Sequence, residues 1–324
     1  MAPSPLRLVF MRTYVIRRLI EGVLTIFGVM TLTFLIVHFL PGDAVNTLMR
    51  NIPNEYADQM RHALGLDQPI LTQYFKWLWP LITRLDMGRG ITINESVNTL
   101  LWQRLPVTIE LAILSIVIGI VIALPLGILA ARFQGSWLDY IAMQFSQLCQ
   151  AVPDFWIGTL LFLLFAMKLH VLPAGGWVPL SENVWDNLRR LLMPSLALAL
   201  PEAGILTRIT RSSMLEVLSK DYIVTAYSKG LKRFTVMQRH ALKNALLPVI
   251  TMIGVETGYL LGGSVIIEDI FLLPGVGKLV VTALNNRDVA IIQGCLLFYA
   301  TLFVGINLFV DLLYGVIDPR ISYD

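Results

Sequence analysis

Side chains that could act as nucleophiles, bases or metal ligands are few in this sequence, and their spacing matches no catalytic pattern. The histidines and cysteines are His38, His62, His170, His240, Cys149 and Cys295. No HExxH, GxSxG or CxxC spacing links any of them, so the sequence predicts no metalloprotease, serine hydrolase, zinc site or disulfide framework. We therefore expect neither an enzyme nor a metal site in this chain.

One glycine-rich segment, LPGVGK at positions 273–278, has part of the spacing of a phosphate-binding loop. That loop needs a glycine five positions before Gly277 and a serine or threonine after the lysine. Leu272 and Leu279 occupy those two positions. The segment is therefore predicted to be a turn before a short re-entrant or surface helix, and this chain is not expected to hydrolyse ATP.

Three acidic residues stand near the middle of long apolar stretches. They are Asp154, Glu202 and Glu256. An ionised acid at the centre of a membrane costs roughly 2.5 to 3.5 kcal/mol on insertion scales, so such residues usually face a cavity or a partner. Together they predict a translocation pathway that accepts a cationic group.

Each acid also has a structural alternative. Asp154 follows Pro153 and would cap a kinked half-helix. Glu202 would be protonated, and Glu256 would form a hydrogen bond across a subunit interface. The residues alone leave both readings of each acid open.

The composition of the whole chain is that of a membrane protein. Of the 324 residues, 56% are hydrophobic and 15% are charged, and the mean hydropathy is +0.69. The net charge of +3 is small and does not indicate a nucleic-acid partner. Because a helix needs about 20 apolar residues to cross a membrane, we predict an all-α protein with six transmembrane helices. These helices are predicted at 22–42, 111–131, 140–167, 191–207, 245–267 and 289–310.

The distribution of lysine and arginine indicates the orientation of these spans. Residues 208–243 carry eight basic and two acidic residues, whereas residues 41–105 carry six of each. Cytoplasmic loops carry an excess of lysine and arginine, so both termini are predicted to be cytoplasmic. The predicted segments between the spans are a cytoplasmic N-terminal segment 1–21, an external loop 43–110, a cytoplasmic loop 208–244, an external loop 268–288 and a cytoplasmic tail 311–324.

The long external loop contains an aromatic segment with two possible roles. Gln73, Tyr74, Trp77 and Trp79 suggest an amphipathic piece at the membrane surface. A folded loop that caps the helix bundle would have the same composition.

The basic segment TAYSKGLKRFTVMQRHALKN, at positions 225–244, predicts a short helix, a turn and a second helix. Asp221 suits a helix N-terminus, and Gly230 can end that helix in the left-handed conformation. The small residues Ala226 and Gly230 would let another backbone approach this elbow closely. The alternative is a loop whose charges are solvated or lie on anionic lipid.

The elbow resembles the signature cytoplasmic loop of binding-protein-dependent ABC import permeases. Val224 replaces the leading acid of the general pattern, as in the dipeptide, oligopeptide and nickel branch, while Lys243 stands where many members have proline. The matching residues of the loop are Ala226, Gly230, His240, Leu242 and Asn244. Further segments similar to this branch are HFLPGD at 38–43, LGLDQP at 64–69, QY at 73–74, RSSML at 211–215, PGVG at 274–277, RD at 287–288, QG at 293–294, VDLLY at 310–314 and DPR at 318–320.

The resemblance implies a type I ABC importer permease fold with its core at residues 98–313. In that family the elbow is a coupling helix seated in a cytoplasmic ATPase subunit. The residues implied to carry this coupling are Asp221, Thr225, Ala226, Gly230, Arg239, His240 and Asn244. The resemblance also implies a second homologous permease subunit, ATPase subunits that bind ATP and magnesium, an external solute-binding protein, and a bacterial inner-membrane location. No cofactor is expected in this chain.

The function implied by the resemblance is import by alternating access. The cargo stays open between a dipeptide, a longer peptide, glutathione, an opine, nickel and another metal chelate. A passive channel or a receptor scaffold would contain similar spans, and dependence of uptake on ATP distinguishes these classes.

Overall fold

The computed structural model describes residues 5–39, 45 and 54–317. Within this part the regular structure is helical, and the only β-pairing is an isolated antiparallel bridge between Arg89 and Ser96. The all-α prediction is confirmed. The helices are α1 (Pro5–Phe39), α2 (Asn54–Leu64), α3 (Ile70–Arg84), α4 (Val97–Arg132), α5 (Trp137–Ala151), α6 (Asp154–Leu161), α7 (Val184–Leu218), α8 (Asp221–Ser228), α9 (Lys243–Ile270), α10 (Val276–Asn286) and α11 (Val289–Ile317).

Four helical segments in the described part are long and apolar enough to cross a membrane. They are Val15–Phe39, Val97–Arg132, Val184–Leu218 and Val289–Val310. Two bent pairs also qualify when their halves are taken together. These pairs are Trp137–Ala151 with Asp154–Lys168, bent by 98°, and Val236–Leu260 with Gly262–Ile270, bent by 52°. The structure therefore holds six candidate spans if each bent pair is one span.

The bend between α5 and α6 has a local cause. Pro153 disfavours helical backbone at the residue before it, and Val152 is extended with φ −105° and ψ 125°. After α6 the chain continues as a π-helical segment, Phe162–Lys168. The predicted span at 140–167 is thus two helices, not one.

Helices also extend beyond the predicted membrane windows. α4 begins at Val97, ahead of the predicted start at 111, and α7 covers Val184–Leu218, well beyond 191–207. α3 and α10 lie within segments predicted as external loops. Residues 40–42 of the first predicted span, residues 40–43 of the HFLPGD segment and residues 318–324 of the tail lie outside the described residues.

The chain folds as two compact units, of which the first comprises Met1–Thr108 and Pro274–Leu308. Its core joins the beginning of α4 to α10 and α11. Buried members of this core include Val97, Leu100, Leu101, Val276, Leu279, Ala283, Ile291 and Cys295. Segments far apart in the sequence therefore complete one core.

A buried carboxylate stabilises the turn before α4 in this first unit. Asp288 is fully buried and accepts hydrogen bonds from the backbone N–H and the hydroxyl of Thr92, each at 2.8 Å. Ile292, in the first turn of α11, donates its N–H to the carbonyl of Asp288 at 3.0 Å. The residue thus ties the turn at 90–96 to the start of α11.

The second unit comprises Ile109–Leu273 and Phe309–Ser322, and α7 lies at its centre. Glycines allow α4 and α5 to approach α7 closely. A Cβ on Gly127 would lie 2.6 Å from the Cβ of Thr210, and one on Gly204 would lie 2.7 Å from the carbonyl oxygen of Ser146. α7 also packs against α6 and α9.

Candidate coupling elbow and membrane acids

The basic segment between α7 and α9 forms the predicted elbow, which we define as residues 221–242. α8 begins at Asp221, whose negative charge favours the positive end of the helix dipole. The chain leaves α8 through Gly230, which has φ +77° and therefore lies in the left-handed region. A short helix at Arg233–Thr235 and a π-helical segment at Val236–Leu242 then lead into α9.

The elbow has an apolar core of its own. Ile223 is fully buried and Ala226 is 7% exposed. They pack in one cluster with residues of α7, of the π-helical segment and of α9, namely Met214, Val217, Val236, Met237, Ala241 and Ala245. The elbow is therefore packed against the end of α7 and the start of α9.

The outer surface of the elbow is apolar and basic. Five large apolar side chains are between 38% and 59% exposed: Tyr222, Val224, Tyr227, Leu231 and Phe234. The exposed basic residues around them are Lys229, Lys232, Arg239 and Lys243. Exposed aromatic side chains and arginine are enriched at protein-binding surfaces, and the elbow presents both.

The two small residues of the elbow lie on opposite sides of it. Gly230 is exposed, and no atom lies within 4 Å of a Cβ added to it, so another molecule can approach there. Ala226 faces the elbow's own core. The small size of Ala226 thus serves packing within the chain, contrary to the expectation that it admits a partner's backbone.

A polar contact connects the elbow helix to the beginning of α9. The side-chain amide of Asn244 donates to the hydroxyl of Tyr222 at 2.9 Å and to the carbonyl of His240 at 3.2 Å. Among the other predicted coupling residues, Thr225 donates its hydroxyl to the carbonyl of Asp221 at 3.0 Å, and Arg239 is exposed. Of the predicted coupling residues, Asn244 thus forms a contact within the chain, whereas Arg239 lies on the outer surface.

The residue before the elbow keeps its positive charge. The ammonium of Lys220 donates to a carboxylate oxygen of Glu216 at 2.9 Å, and this hydrogen bond raises the pKa of Lys220 above its ordinary value. Lys220 is therefore cationic at neutral pH.

An ion pair that the sequence did not predict holds α5 to α7 close to the elbow. The guanidinium of Arg211 donates to both carboxylate oxygens of Asp139, at 2.5 and 2.7 Å, and the N–H of Gly135 donates to the same carboxylate at 3.0 Å. Asp139 is only 5% exposed. Arg211 belongs to the RSSML segment. The similarity of this segment to the family was the only feature of the sequence that singled out Arg211.

Two of the three membrane acids lie on neighbouring helices of the second unit, α7 and α9. Glu202, on α7, is 3% exposed, and Glu256, on α9, is 9% exposed. Neither carboxyl oxygen of Glu202 has a hydrogen-bond partner among the described residues, and a Cβ on Gly119 of α4 would lie 3.2 Å from one of them. Both acids are enclosed, so neither lines an open cavity in this conformation.

The third acid lies at the bend between α5 and α6. A carboxylate oxygen of Asp154 accepts the N–H of Phe155 at 2.6 Å, as expected of an acid at the start of a half-helix. A Cβ on Gly263 of α9 would lie 2.8 Å from the other oxygen. Asp154 therefore contacts α9 about two helical turns beyond Glu256, and the structure does not bring all three acids to one point.

Comparison with protein families identifies both halves of the chain. Residues 123–323 match the model described as binding-protein-dependent transport system inner membrane component. Residues 11–112 match the model for the N-terminal part of such membrane components. The two matches together cover most of the sequence.

Individual proteins agree with this result. The dipeptide transport system permease protein of Alkalihalophilus pseudofirmus is 38% identical over 335 residues, covering 97% of this chain and 100% of the relative. The oligopeptide transport system permease protein of Bacillus subtilis is 38% identical with the same coverage. A chain of the inward-facing MetNI methionine ABC transporter has the same fold, with a TM-score of 0.56 at 15% identity over 68% of this chain and 96% of that one. This chain therefore belongs to the family of binding-protein-dependent transport system inner membrane components.

Proposed function

We propose that this chain is a membrane-spanning permease subunit of an ATP-driven peptide importer. The observation that carries the proposal is the packing of the elbow onto two membrane helices at once. Its core residue Ile223 shares a cluster with Met214 of α7 and Ala245 of α9. A force applied to the elbow would reach α7 and α9 together, and these helices carry Glu202 and Glu256.

The proposed partner of the elbow is a cytoplasmic ATPase subunit. The exposed apolar side chains around Tyr227 and the basic residues around them provide a surface for a protein rather than for water alone. ATP and magnesium belong to that partner, and this chain uses no cofactor. Closure of the ATPases would move the elbow, and α7 and α9 would then switch the pathway between inward-open and outward-open states.

The remaining parts of the assembly follow from the family. A second homologous permease subunit would complete the pathway, and a solute-binding protein would deliver cargo at the external side. The excess of lysine and arginine between Arg208 and Lys243 supports a cytoplasmic location for the elbow and both termini.

The names of the relatives favour peptides as cargo. Two relatives that match almost the whole chain are named dipeptide and oligopeptide transport permeases. These names do not support the alternative of nickel or a metal chelate. Peptides also present the cationic amino terminus that buried acids could accept.

Uptake by the assembled transporter tests this function. Proteoliposomes would contain this chain, the second permease subunit and the ATPases, with the solute-binding protein and a radiolabelled dipeptide outside. We expect accumulation that requires ATP and ceases when the ATPases carry a substitution that prevents hydrolysis. Equal uptake with and without ATP would indicate a passive channel, and transport of nickel but not dipeptide would overturn the proposed cargo.

We further propose that Glu202 and Glu256 contribute to the pathway for the cationic end of the cargo. Support comes from the enclosed, unpartnered carboxyl group of Glu202 and from the packing of α7 against α9, which carries Glu256. A buried polar group without a partner is costly. A cationic ligand that enters between α7 and α9 would remove that cost.

Glutamine substitutions test the role of these acids, because they keep the size and hydrogen-bonding capacity of the side chain. We expect Glu202→Gln and Glu256→Gln to slow uptake of a lysine-containing dipeptide at least fivefold more than uptake of dialanine. Glu216→Gln is the control, because Glu216 lies on α7 at an exposed position. Equal slowing for both peptides would indicate a structural role, and no slowing would remove the acids from the pathway.

A further inference from the structure

Helix α3 presents three different surfaces along its length. Successive residues of an α-helix are rotated by about 100°, so the position of each residue in α3 determines the direction of its side chain around the helix axis. The buried side faces α1 and contains Tyr74, Trp77, Leu78 and Leu81. The second side, the apolar arc, consists of four residues that are 62% to 71% exposed: Leu71, Phe75, Trp79 and Ile82. The third side, the polar stripe, consists of the exposed residues Thr72, Lys76 and Thr83.

The buried side fixes α3 against the C-terminal part of α1. The hydroxyls of Tyr74 and Thr31 are hydrogen-bonded at 2.9 Å. The ring of Phe34 stacks on Trp77 with centroids 5.9 Å apart and meets Tyr74 edge-on at 5.1 Å. These contacts all lie within the first unit, so they define where α3 meets α1.

The contact point lies well inside the membrane-spanning part of α1. The apolar segment of α1 is Val15–Phe39, and Thr31 lies sixteen residues from its start and eight from its end. At 1.5 Å per residue these separations are about 24 and 12 Å. A hydrocarbon core about 30 Å thick, centred on this segment, would therefore extend roughly 9 Å past Thr31. With the membrane in this position, Tyr74 would meet α1 below the membrane surface.

We propose that α3 lies in the membrane interface with its apolar arc against lipid acyl chains. In this position the polar stripe faces the headgroups and water, and the buried side faces α1. The sequence supports lipid as the occupant, since Ile70–Arg84 contains no acidic residue and carries only Lys76 and Arg84 as charges. α1 also exposes the apolar side chains of Leu32 and Ile36 near the residues that contact α3, as expected of a helix in lipid.

This proposal concerns a surface that the coupling mechanism does not use. It also decides between the two roles that the sequence left open for the aromatic segment. Tyr74 and Trp77 support the fold of the first unit, whereas Phe75 and Trp79 contact the membrane. A single helix performs both tasks because its two apolar sides point in different directions.

Cysteine substitutions in the assembled transporter test the proposal. Phe75→Cys and Ile82→Cys probe the apolar arc, and Thr72→Cys and Thr83→Cys are matched controls on the polar stripe of the same helix. The parent chain gives the background, because Cys149 and Cys295 are buried. We expect a water-soluble maleimide to label the arc positions at least tenfold more slowly than the stripe positions. Nitroxides at the arc positions should collide more often with oxygen than with a water-soluble nickel chelate.

Two results would overturn the proposal. Labelling of both sides at the same rate would place the apolar arc in water. Slow labelling without frequent oxygen collisions would show that another protein chain covers the arc. If a cysteine variant fails to accumulate, quenching of tryptophan fluorescence by brominated lipids provides a second measurement. Trp79→Phe should remove a measurable share of the quenching seen in the parent, and an unchanged quenching would also contradict lipid contact.

Discussion

Gly230 and Gly135 have nearly the same backbone conformation at two turns of the second unit. Their φ angles are +77° and +76°, and no atom lies within 4 Å of a Cβ added to either. A side chain would therefore cause similar backbone strain at both positions, about 1–2 kcal/mol for a residue in the left-handed region. The two positions differ in their surroundings, because only Gly230 belongs to the elbow proposed to contact an ATPase.

The comparison of these glycines gives a test of coupling at the scale of one residue. We expect Gly230→Leu to reduce ATP-driven uptake at least tenfold while Gly135→Leu leaves it within twofold. The physical reason is that the added side chain meets a partner only at the elbow. Uptake of labelled dipeptide, normalised to the amount of assembled complex, is the measurement. Equal losses in the two variants would trace the effect to backbone strain, and normal uptake with Gly230→Leu would contradict the coupling role.

The sequence predicted the turn at Gly230, but it did not predict whether the side chain of Ala226 faces a partner or the interior of the elbow. A glycine after a short helical run indicates a left-handed helix end by itself. Ala226 is small whether it faces a partner or the interior, and the side it faces depends on Ile223, which is buried one turn earlier. Ala226→Arg would therefore disrupt the elbow's own core, and it is a poorer test of partner contact than Gly230→Leu.

At the scale of helices, the Asp139–Arg211 ion pair determines how α5 lies against α7. It is bidentate, and its carboxylate also accepts the N–H of Gly135. Bidentate pairs of arginine with a carboxylate have a defined geometry as well as a favourable energy. The turn before α5 and the end of α7 are therefore held in one arrangement next to the elbow.

Removing one partner of this pair should destabilise the protein. We expect Asp139→Ala to cost about 2–3 kcal/mol, below the 3–5 kcal/mol of fully buried pairs, because the side chain of Arg211 is 25% exposed. Thermal unfolding of the purified complex measures the loss. The exchanged pair Asp139→Arg with Arg211→Asp should recover part of the stability. A double variant no more stable than the single one would show that the charge pairing contributes little.

Helix type was easier to predict than helix continuity. Uninterrupted apolar runs predict helices because lipid requires every backbone group to be paired within the segment. Pro153 signalled a kink in the third predicted span, and the structure has a bend of 98° there. The bend of 52° in the fifth span, next to Gly262, was not predicted, because glycine is common in membrane helices and does not by itself indicate a bend.

For the whole molecule, the orientation across the membrane determines which partners can reach which surface. The charge distribution predicts that the elbow faces the cytoplasm and that α10 lies outside. The structure identifies exposed positions for a test, because Leu284 of α10 is 49% exposed and Lys232 of the elbow is exposed. Lys278, in the same external segment, is only partly exposed and is less suitable.

Labelling of intact cells checks the orientation. We expect Leu284→Cys to react with a membrane-impermeant thiol reagent added outside, and Lys232→Cys to react only after the cells are opened. The charge asymmetry is the physical reason, and the parent chain with its two buried cysteines is the control. The opposite pattern would show that the elbow is external and that no cytoplasmic ATPase can bind it.

Composition and spacing predicted the class of protein, the number of candidate spans and the place of the elbow. They could not predict the first unit, because its core joins Val97 and Leu101 to Val276 and Ile291. No local sequence pattern indicates a contact between residues so far apart in the chain. The sequence alone therefore predicts only a succession of spans and loops. The enclosed state of Glu202 was also beyond prediction, because it depends on Gly119 of another helix.

The interleaved core of the first unit has a consequence for biosynthesis. Val97 and Leu101 leave the ribosome long before Val276 and Ile291 are made. At 5–20 residues per second, the ribosome needs roughly 10–35 s to add the residues between them. The second unit lies mostly within 109–273, so its helices can pack first. The first unit, by contrast, cannot complete its core until the chain has been made as far as Ile291, so its early apolar residues wait for partners during this interval.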